Sequence, residues 1–241
     1  MKNILASSFL IGFFALCTSF VDLLPMSADG LQGAWKSSNG NVEQVIIFQD
    51  GYFMHTEYDK PNKKFVNSRG GTYSTSGQQL ALNIEFDVNN KNTIGTKETQ
   101  SFTMKDKSLE LGSGNKISWA RLDNGAGALA GNWRITGRKE GDKINQMQRG
   151  SRKTLKILSG TRFQWAAINP ETKEFFGTGG GTYTFENGKY KETIEFFSRD
   201  STRVGASLSF DGEVKGNEWH HSGLSSKGDP IYEIWTREKT L

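Results

Sequence analysis

Glu192 and His220 are the side chains with the clearest potential for chemistry. The chain contains two similar halves, described below, and the matching positions of the first half hold Leu82 and Leu111. A carboxylate and an imidazole that replace two leucines could serve as an acid–base pair or bind a polar group of a ligand. Burial of such groups is costly unless they are paired, so we expect a polar ligand or a water-filled pocket around them. The alternative is that both lie in solvent at the rim of the fold.

Other reaction types lack the residues that they need. Glu192 and Glu195 are three residues apart on a predicted strand, so their side chains point to opposite faces and do not form a glycosidase pair. His220 and His221 are adjacent on a strand and diverge, so we expect no metal site. The glycine run at residues 177–181 lacks the Lys and Ser/Thr of a phosphate loop, and a Gly-x-Ser-x-Gly elbow is absent. We therefore expect no cofactor.

Aromatic side chains are candidates for the wall of a pocket. Phe163 and Trp165 alternate along one predicted strand and share a face, and Tyr183 and Phe196 could join them. Aromatic walls suit apolar or sugar-like ligands. The same residues could instead simply fill the centre of a small barrel.

The elements that carry these residues come from an internal repeat. Gly33-Ala34-Trp35 matches Gly131-Asn132-Trp133 at an offset of 98 residues, whereas Gly70-Gly71-Thr72-Tyr73 matches Gly180-Gly181-Thr182-Tyr183 at an offset of 110. The change in offset indicates a 12-residue insertion early in the second repeat. We expect repeat 1 at residues 29–123, a linker at 124–128 and repeat 2 at 129–241.

Each repeat has the pattern of short antiparallel strands. Leu82, Ile84 and Phe86 alternate with polar residues, which is typical of a strand with one buried face. Turn-forming pairs such as Asp50-Gly51 separate the β-rich runs. About eight strands per repeat favour an all-β fold of two tandem antiparallel up-and-down barrels, which leave no open sheet edges. A sandwich remains the alternative.

Both repeats open with Gly-x-Trp and close with Trp-x-Arg. This pattern resembles the lipocalin, or calycin, superfamily, in which an arginine of the last strand meets the tryptophan of the first. The resemblance implies that Trp35 contacts Arg121 and Trp133 contacts Arg237, a guanidinium stacked on an indole. Repeat 2 also resembles lipocalin-like exported proteins of Bacteroidetes that have no assigned function. The motifs concerned are Arg162-Phe163-Gln164-Trp165, the run at residues 175–183 and Glu195-Phe196-Phe197-Ser198-Arg199-Asp200.

The N-terminus predicts export. Lys2 precedes a long apolar run, and Ala28 is a candidate cleavage position, so residues 1–28 are expected to be a signal peptide and the mature chain to have no transmembrane domain. Cys17 is the single cysteine and lies inside that run. Its acylation would give a lipoprotein, but Leu16 precedes it where a small residue is preferred. We expect a periplasmic or secreted protein.

The basic residues are concentrated rather than spread. The formal net charge is only +4, yet residues 137–156 carry seven Lys or Arg against two acidic residues. In lipocalins this connection is the lid over the open mouth, so the resemblance implies a basic lid from Arg138 to Lys156. Such a segment could bind an anionic envelope glycan or lipid, or it could be an ordinary solvated loop. Nucleic acid is not expected as a partner of an exported protein without a recognition module.

Together these observations predict a binding protein for a small hydrophobic or amphiphilic ligand. The ligand pocket is expected mainly in repeat 2, with the residues Phe163, Trp165, Tyr183, Glu192, Phe196 and His220. Two alternatives stay open. One is a structural or interaction module of the cell envelope whose barrels are filled by side chains. The other is an enzyme that uses Glu192 and His220 as an acid–base pair.

Overall fold

A computed structural model describes residues 30–225 and 227–238 of the chain. It is all-β and contains two antiparallel barrels in tandem, as the sequence predicts. The expected signal peptide, with Cys17 and Ala28, lies outside the described residues. Within the described part of the chain, no helix has both the length and the apolar character needed to cross a membrane.

Barrel 1 has eight strands, each paired with the next along the chain, and β1 pairs with β8 to close the ring. Its strands are β1 Gly33–Asn39, β2 Val42–Gln49, β3 Tyr52–Asp59, β4 Lys64–Ser76, β5 Gln79–Asp87, β6 Lys97–Lys105, β7 Ser108–Leu111 and β8 Ile117–Asp123. A single 3₁₀ turn, Lys91–Thr93, connects β5 to β6.

Barrel 2 repeats this order and closes through the pairing of β9 with β17. Its strands are β9 Gly131–Glu140, β10 Lys143–Gln146, β11 Lys153–Leu158, β12 Arg162–Asn169, β13 Glu174–Glu186, β14 Lys189–Phe197, β15 Ser207–Lys215, β16 Glu218–Leu224 and β17 Pro230–Arg237. A 3₁₀ turn, Ser201–Arg203, connects β14 to β15. Strand β10 pairs with β9 alone, so it is an added hairpin strand at the sequence insertion.

In each barrel, a pair of adjacent glycines lies at a β-bulge, between β4 and β5 in barrel 1 and between β13 and β14 in barrel 2. The register shifts between Gly70 and Gly71 in barrel 1 and between Gly180 and Gly181 in barrel 2. A Cβ on Gly181 would lie 2.0 Å from the carbonyl oxygen of Thr193, so only glycine fits. Beyond each bulge, the residues that face the lumen change by one position.

In each barrel, an arginine of the last strand contacts a tryptophan of the first strand. The guanidinium of Arg121 lies 4.0 Å from the ring centroid of Trp35, and that of Arg237 lies 4.3 Å from that of Trp133. These are cation–π distances, and both arginines also donate hydrogen bonds to backbone carbonyls. Gly131 leaves room for this contact, since a Cβ there would lie 2.1 Å from the Arg237 guanidinium.

The two barrels pack against each other through a shared apolar cluster. It combines the outer faces of strands from both halves, chiefly Ile47, Met54, Tyr58, Phe86, Leu155, Ile157, Ala166, Ile168 and Phe196. Polar contacts surround it: Arg162 and Lys60 pair with Glu195, and the Tyr58 hydroxyl donates to the same carboxylate. The barrels are therefore joined by a buried interface rather than by the connecting segment alone.

Candidate functional site

Barrel 2 contains a chamber of about 320 Å³ that is partly open to solvent. Strand alternation places its lining, because residues two apart on a strand face the same side. The apolar wall includes Phe163, Trp165, Phe197, Phe210, Ile231 and Trp235. The polar lining includes Arg138, Thr154, Lys156, Glu192, His221 and Glu233.

A buried ion pair lies in this chamber. Nζ of Lys156 is 2.9 Å from Oε2 of Glu192, and both side chains are almost fully buried. The hydroxyl of Tyr190 donates to the same carboxylate oxygen at 2.8 Å. Burial and the neighbouring carboxylate raise the pKa of Tyr190 well above its usual value, so the hydroxyl stays protonated as a donor.

Aromatic rings surround the ammonium group of Lys156. Its Nζ lies 4.7 Å from the ring centroid of Tyr190, 5.0 Å from that of Phe163 and 5.4 Å from that of Trp219. Ring faces are favourable neighbours for a cation that has lost its water. The carboxylate and the rings together offset the free-energy cost of burying the ammonium group of Lys156.

A second polar cluster of the chamber lining consists of Arg138, His221 and Glu233. Arg138 donates to Oε1 of Glu233 at 2.7 Å, and Nε1 of Trp235 donates to Oε2 at 3.1 Å. Nδ1 of His221 lies 3.7 Å from the same carboxylate. Burial alone would raise the pKa of Glu233, but the neighbouring His221 and Arg138 lower it.

The imidazole of His221 is a buried polar group of this chamber that makes no hydrogen bond with the described residues. Both ring nitrogens are buried and have no hydrogen-bond partner among the described residues. Burial lowers the pKa of His221 despite the opposing effect of Glu233, which favours the neutral ring. A neutral imidazole can donate one hydrogen bond and accept one, and the described residues use neither capacity.

Three of the residues singled out from the sequence line the chamber: Phe163, Trp165 and Glu192. Tyr183 belongs to the packed base of barrel 2, where its hydroxyl donates to the Ser159 carbonyl at 2.6 Å. It fills the barrel rather than bordering the chamber.

Phe196 lies outside the lumen, in the apolar cluster between the barrels, where it stacks on Tyr58 with 5.2 Å between centroids. The bulge at Glu195 is the reason, because this extra residue has no partner on β13 and shifts the alternation of β14 by one residue. Phe197 takes the inward position and lines the chamber.

His220 lies on the outer face of β16, where its Nδ1 is hydrogen-bonded to the hydroxyl of Tyr232 at 2.8 Å. The strand pairings match Leu109 with Trp219 and hence Leu111 with His221, one residue from the sequence alignment. A shift of one residue reverses the face of a strand. The structure therefore does not bring His220 and Glu192 into one site, and an acid–base pair of these two residues has no geometric support.

Lys156 is a further residue of the chamber that the sequence analysis does not predict. The sequence assigns it to the basic segment from Arg138 to Lys156, yet it lies on β11 and lines the chamber. Its match at the offset of 110 residues is Ile46, and both residues pair with the tryptophan of the first strand. That offset, applied to β11, would have identified a lysine at a core position.

Of the remaining basic residues, some form ion pairs and others are exposed to solvent. Lys153 pairs with Glu85 of barrel 1 at 2.8 Å, and Arg149 pairs with Glu238. The hairpin strand β10 is exposed throughout, and it carries Lys143 next to an exposed Ile144. Across residues 30–225 and 227–238, no group of three or more His, Cys, Asp or Glu side chains is arranged to hold a metal ion.

The sequence matches no protein-family model, and a search of curated proteins finds no significant match. The fold is therefore the basis on which a class of protein can be assigned. Two eight-stranded antiparallel barrels in tandem, each closed between its first and last strands, are consistent with a lipocalin-like calycin fold in two repeats.

Proposed function

We propose that this protein binds a small hydrophobic or amphiphilic ligand in the chamber of barrel 2. The observation that carries the proposal is the chamber itself: about 320 Å³ with aromatic walls and a few convergent polar groups. Volumes from roughly 300 Å³ upward, mostly apolar and with a few polar contacts, are typical of small-molecule sites.

The lining suggests how such a ligand would lie. Its apolar part would pack on Phe163, Trp165 and Phe197. A hydroxyl or carbonyl group of the ligand would reach the unpartnered imidazole of His221. Lys156 and Glu192 neutralise each other, so the inner wall offers a polar but balanced surface and does not require a charged ligand.

The location and organisation of the protein belong to the same proposal. Residues 1–28 would direct export to the periplasm or beyond, residues 29–123 and 129–241 would be the two repeats, and 124–128 the linker. The resemblance to exported lipocalin-like proteins of Bacteroidetes supports this. The exposed lysines of the β9–β10 hairpin would contact an anionic glycan or lipid of the envelope.

The test is binding of N-phenyl-1-naphthylamine, an apolar dye that fluoresces when it leaves water. We expect the wild type to bind it and Ala167→Trp, which fills the chamber, to lose binding by at least tenfold. Glu57→Trp is the matched control, since Glu57 and Ala167 occupy equivalent positions of β3 and β12. Circular dichroism checks that both variants fold.

Native mass spectrometry of protein purified from its own host asks which molecule occupies the chamber. A co-purifying small amphiphile that is lost in Ala167→Trp would identify the ligand class. Unchanged dye affinity in a folded Ala167→Trp variant would refute the chamber as the site.

A further inference from the structure

Barrel 1 contains a chamber of its own, of about 220 Å³, whose lining differs in kind from that of barrel 2. Its polar lining is mostly uncharged and includes Gln44, His55, Gln100 and Asn115. Phe53 and Trp119 supply aromatic surface. The chamber is below the usual size for drug-like ligands, so it suits a more compact molecule.

Trp119 presents a hydrogen-bond donor that the protein does not use. Its indole is buried, and Nε1 has no hydrogen-bond partner among the described residues. The matching tryptophan of barrel 2, Trp235, donates to Glu233. Barrel 1 has Ile117 where barrel 2 has Glu233, so Nε1 of Trp119 lacks the carboxylate acceptor that Trp235 has. A buried donor without a partner is costly, which makes it a point where a ligand gains affinity.

His55 adds an uncharged acceptor. Burial, helped by the nearby Arg69, lowers its pKa to about 3, so the ring is neutral near neutral pH. Nε2 donates to Oε1 of Gln44 at 3.3 Å, which leaves Nδ1 as an acceptor. The ring stands edge-on to Trp119 with 5.5 Å between centroids, so donor and acceptor lie near one another.

Arg69 is the one cation of this lining, and it is already balanced. Its Nη2 donates to Glu98 at 2.6 Å, and its Nε lies 3.6 Å from Oδ2 of Asp87. Two carboxylates beside one guanidinium leave no excess positive charge for an anion. The charge balance therefore favours a neutral ligand.

We propose that barrel 1 is a second binding site, for a compact, uncharged, polyhydroxylated molecule of the monosaccharide class. Hydroxyl groups would satisfy the Trp119 donor and the neutral amide and imidazole groups of the wall. The aromatic faces would contact the C–H face of the sugar ring. This site does not depend on what barrel 2 binds.

The experiment is an NMR titration of the full chain with D-glucose, N-acetyl-D-glucosamine and, as the charged comparison, D-glucuronate. We expect a neutral sugar to shift the indole N–H resonance of Trp119 at millimolar concentrations, and glucuronate to bind at least tenfold more weakly. Trp119→Phe keeps the ring and removes the donor, so it should weaken sugar affinity by about fivefold, the value of one hydrogen bond. The disappearance of one resonance in this variant also assigns the signal.

Trp235→Phe is the matched control in barrel 2 and should leave sugar affinity unchanged. The dye N-phenyl-1-naphthylamine should not compete with the sugar, which separates this site from that of barrel 2. The proposal is overturned if neither neutral sugar shifts the Trp119 signal at tens of millimolar. Equal binding of glucuronate, or unchanged affinity in a folded Trp119→Phe variant, would overturn it too.

Discussion

Lys156 and Glu192 form an ion pair of 2.9 Å inside barrel 2, at the two positions where barrel 1 holds Ile46 and Leu82. The equivalent positions of the two barrels are thus occupied by two apolar residues in barrel 1 and by an ion pair in barrel 2. Barrel 2 has charged residues at both positions, because a single buried charge without a partner would be strongly destabilising in low-dielectric surroundings.

Removal of one partner of this pair should cost much more than removal of both. Glu192→Leu leaves a buried ammonium without its carboxylate, so we expect a loss of about 3–5 kcal/mol in the free energy of unfolding by urea. The double variant Lys156→Ile, Glu192→Leu recreates the pair of barrel 1 and should unfold within about 1 kcal/mol of the wild type, or be more stable. Lys189→Leu, which breaks an exposed pair with Asp211, is the control and should change little. A single variant as stable as the double one would contradict this expectation.

Arg237 should matter more than its counterpart Arg121. Both stack on a tryptophan. Arg121 donates two hydrogen bonds to backbone carbonyls, whereas Arg237 donates one and also forms an ion pair with Asp50 of the other barrel at 3.2 Å. We expect Arg237→Met to cost about 2–3 kcal/mol and Arg121→Met about 1–2 kcal/mol in urea unfolding. Arg237→Lys should recover only part of the loss, because an ammonium lacks the planar stack. Equal losses for the two methionine variants would show that the link to Asp50 contributes no more than the second backbone hydrogen bond of Arg121.

The shared interface predicts that the barrels unfold together. Ala166 is fully buried in the apolar cluster between them, so Ala166→Asp would place a carboxylate there without a partner. We expect the single calorimetric transition of the wild type to split into two. Ala120→Asp, on the exposed face of β8, should keep one transition. Two separate transitions in the wild type would argue against a stabilising interface.

His55 should make the protein less stable in acid. Its pKa is about 3 in the folded state and about 6.5 when unfolded, so the unfolded chain binds the extra proton between these values. Stability should therefore fall as the pH drops from 6.5 towards 3, by up to about 4 kcal/mol from this group. His55→Gln should flatten that part of the curve of unfolding free energy against pH. His220→Gln, on the outer face, is the control; parallel curves for wild type and His55→Gln would disprove the assignment.

Much of the fold could be predicted from the sequence because strand patterns are local. The alternation of Leu82, Ile84 and Phe86 predicts a strand with one buried face, and all three residues are buried on β5. The turn pair Asp50-Gly51 lies between β2 and β3, as predicted. The change of offset between the repeats located an insertion that the structure contains as the β9–β10 hairpin. Alternation along β14 likewise indicated that Glu192 faces inward, since its counterpart Leu82 lies on an apolar face.

The site could be predicted only in part, because a strand has two faces and a one-residue error exchanges them. The sequence match of Leu111 with His220 is wrong by one residue, and the lumen has His221 there. A bulge that depends on two strands meeting moved Phe196 to the interface and Phe197 to the chamber. Neither the turn length nor the bulge is visible in one strand alone.

The sequence by itself determined that two copies of an eight-stranded antiparallel unit exist and that their opening and closing residues correspond. Those features are carried by neighbours along the chain and by repeated motifs. The tertiary structure alone decided that Lys156 meets Glu192, that Trp119 keeps a free donor and that the outer faces of the barrels pack together. These are contacts between residues far apart in sequence, and pairing register and barrel closure select them.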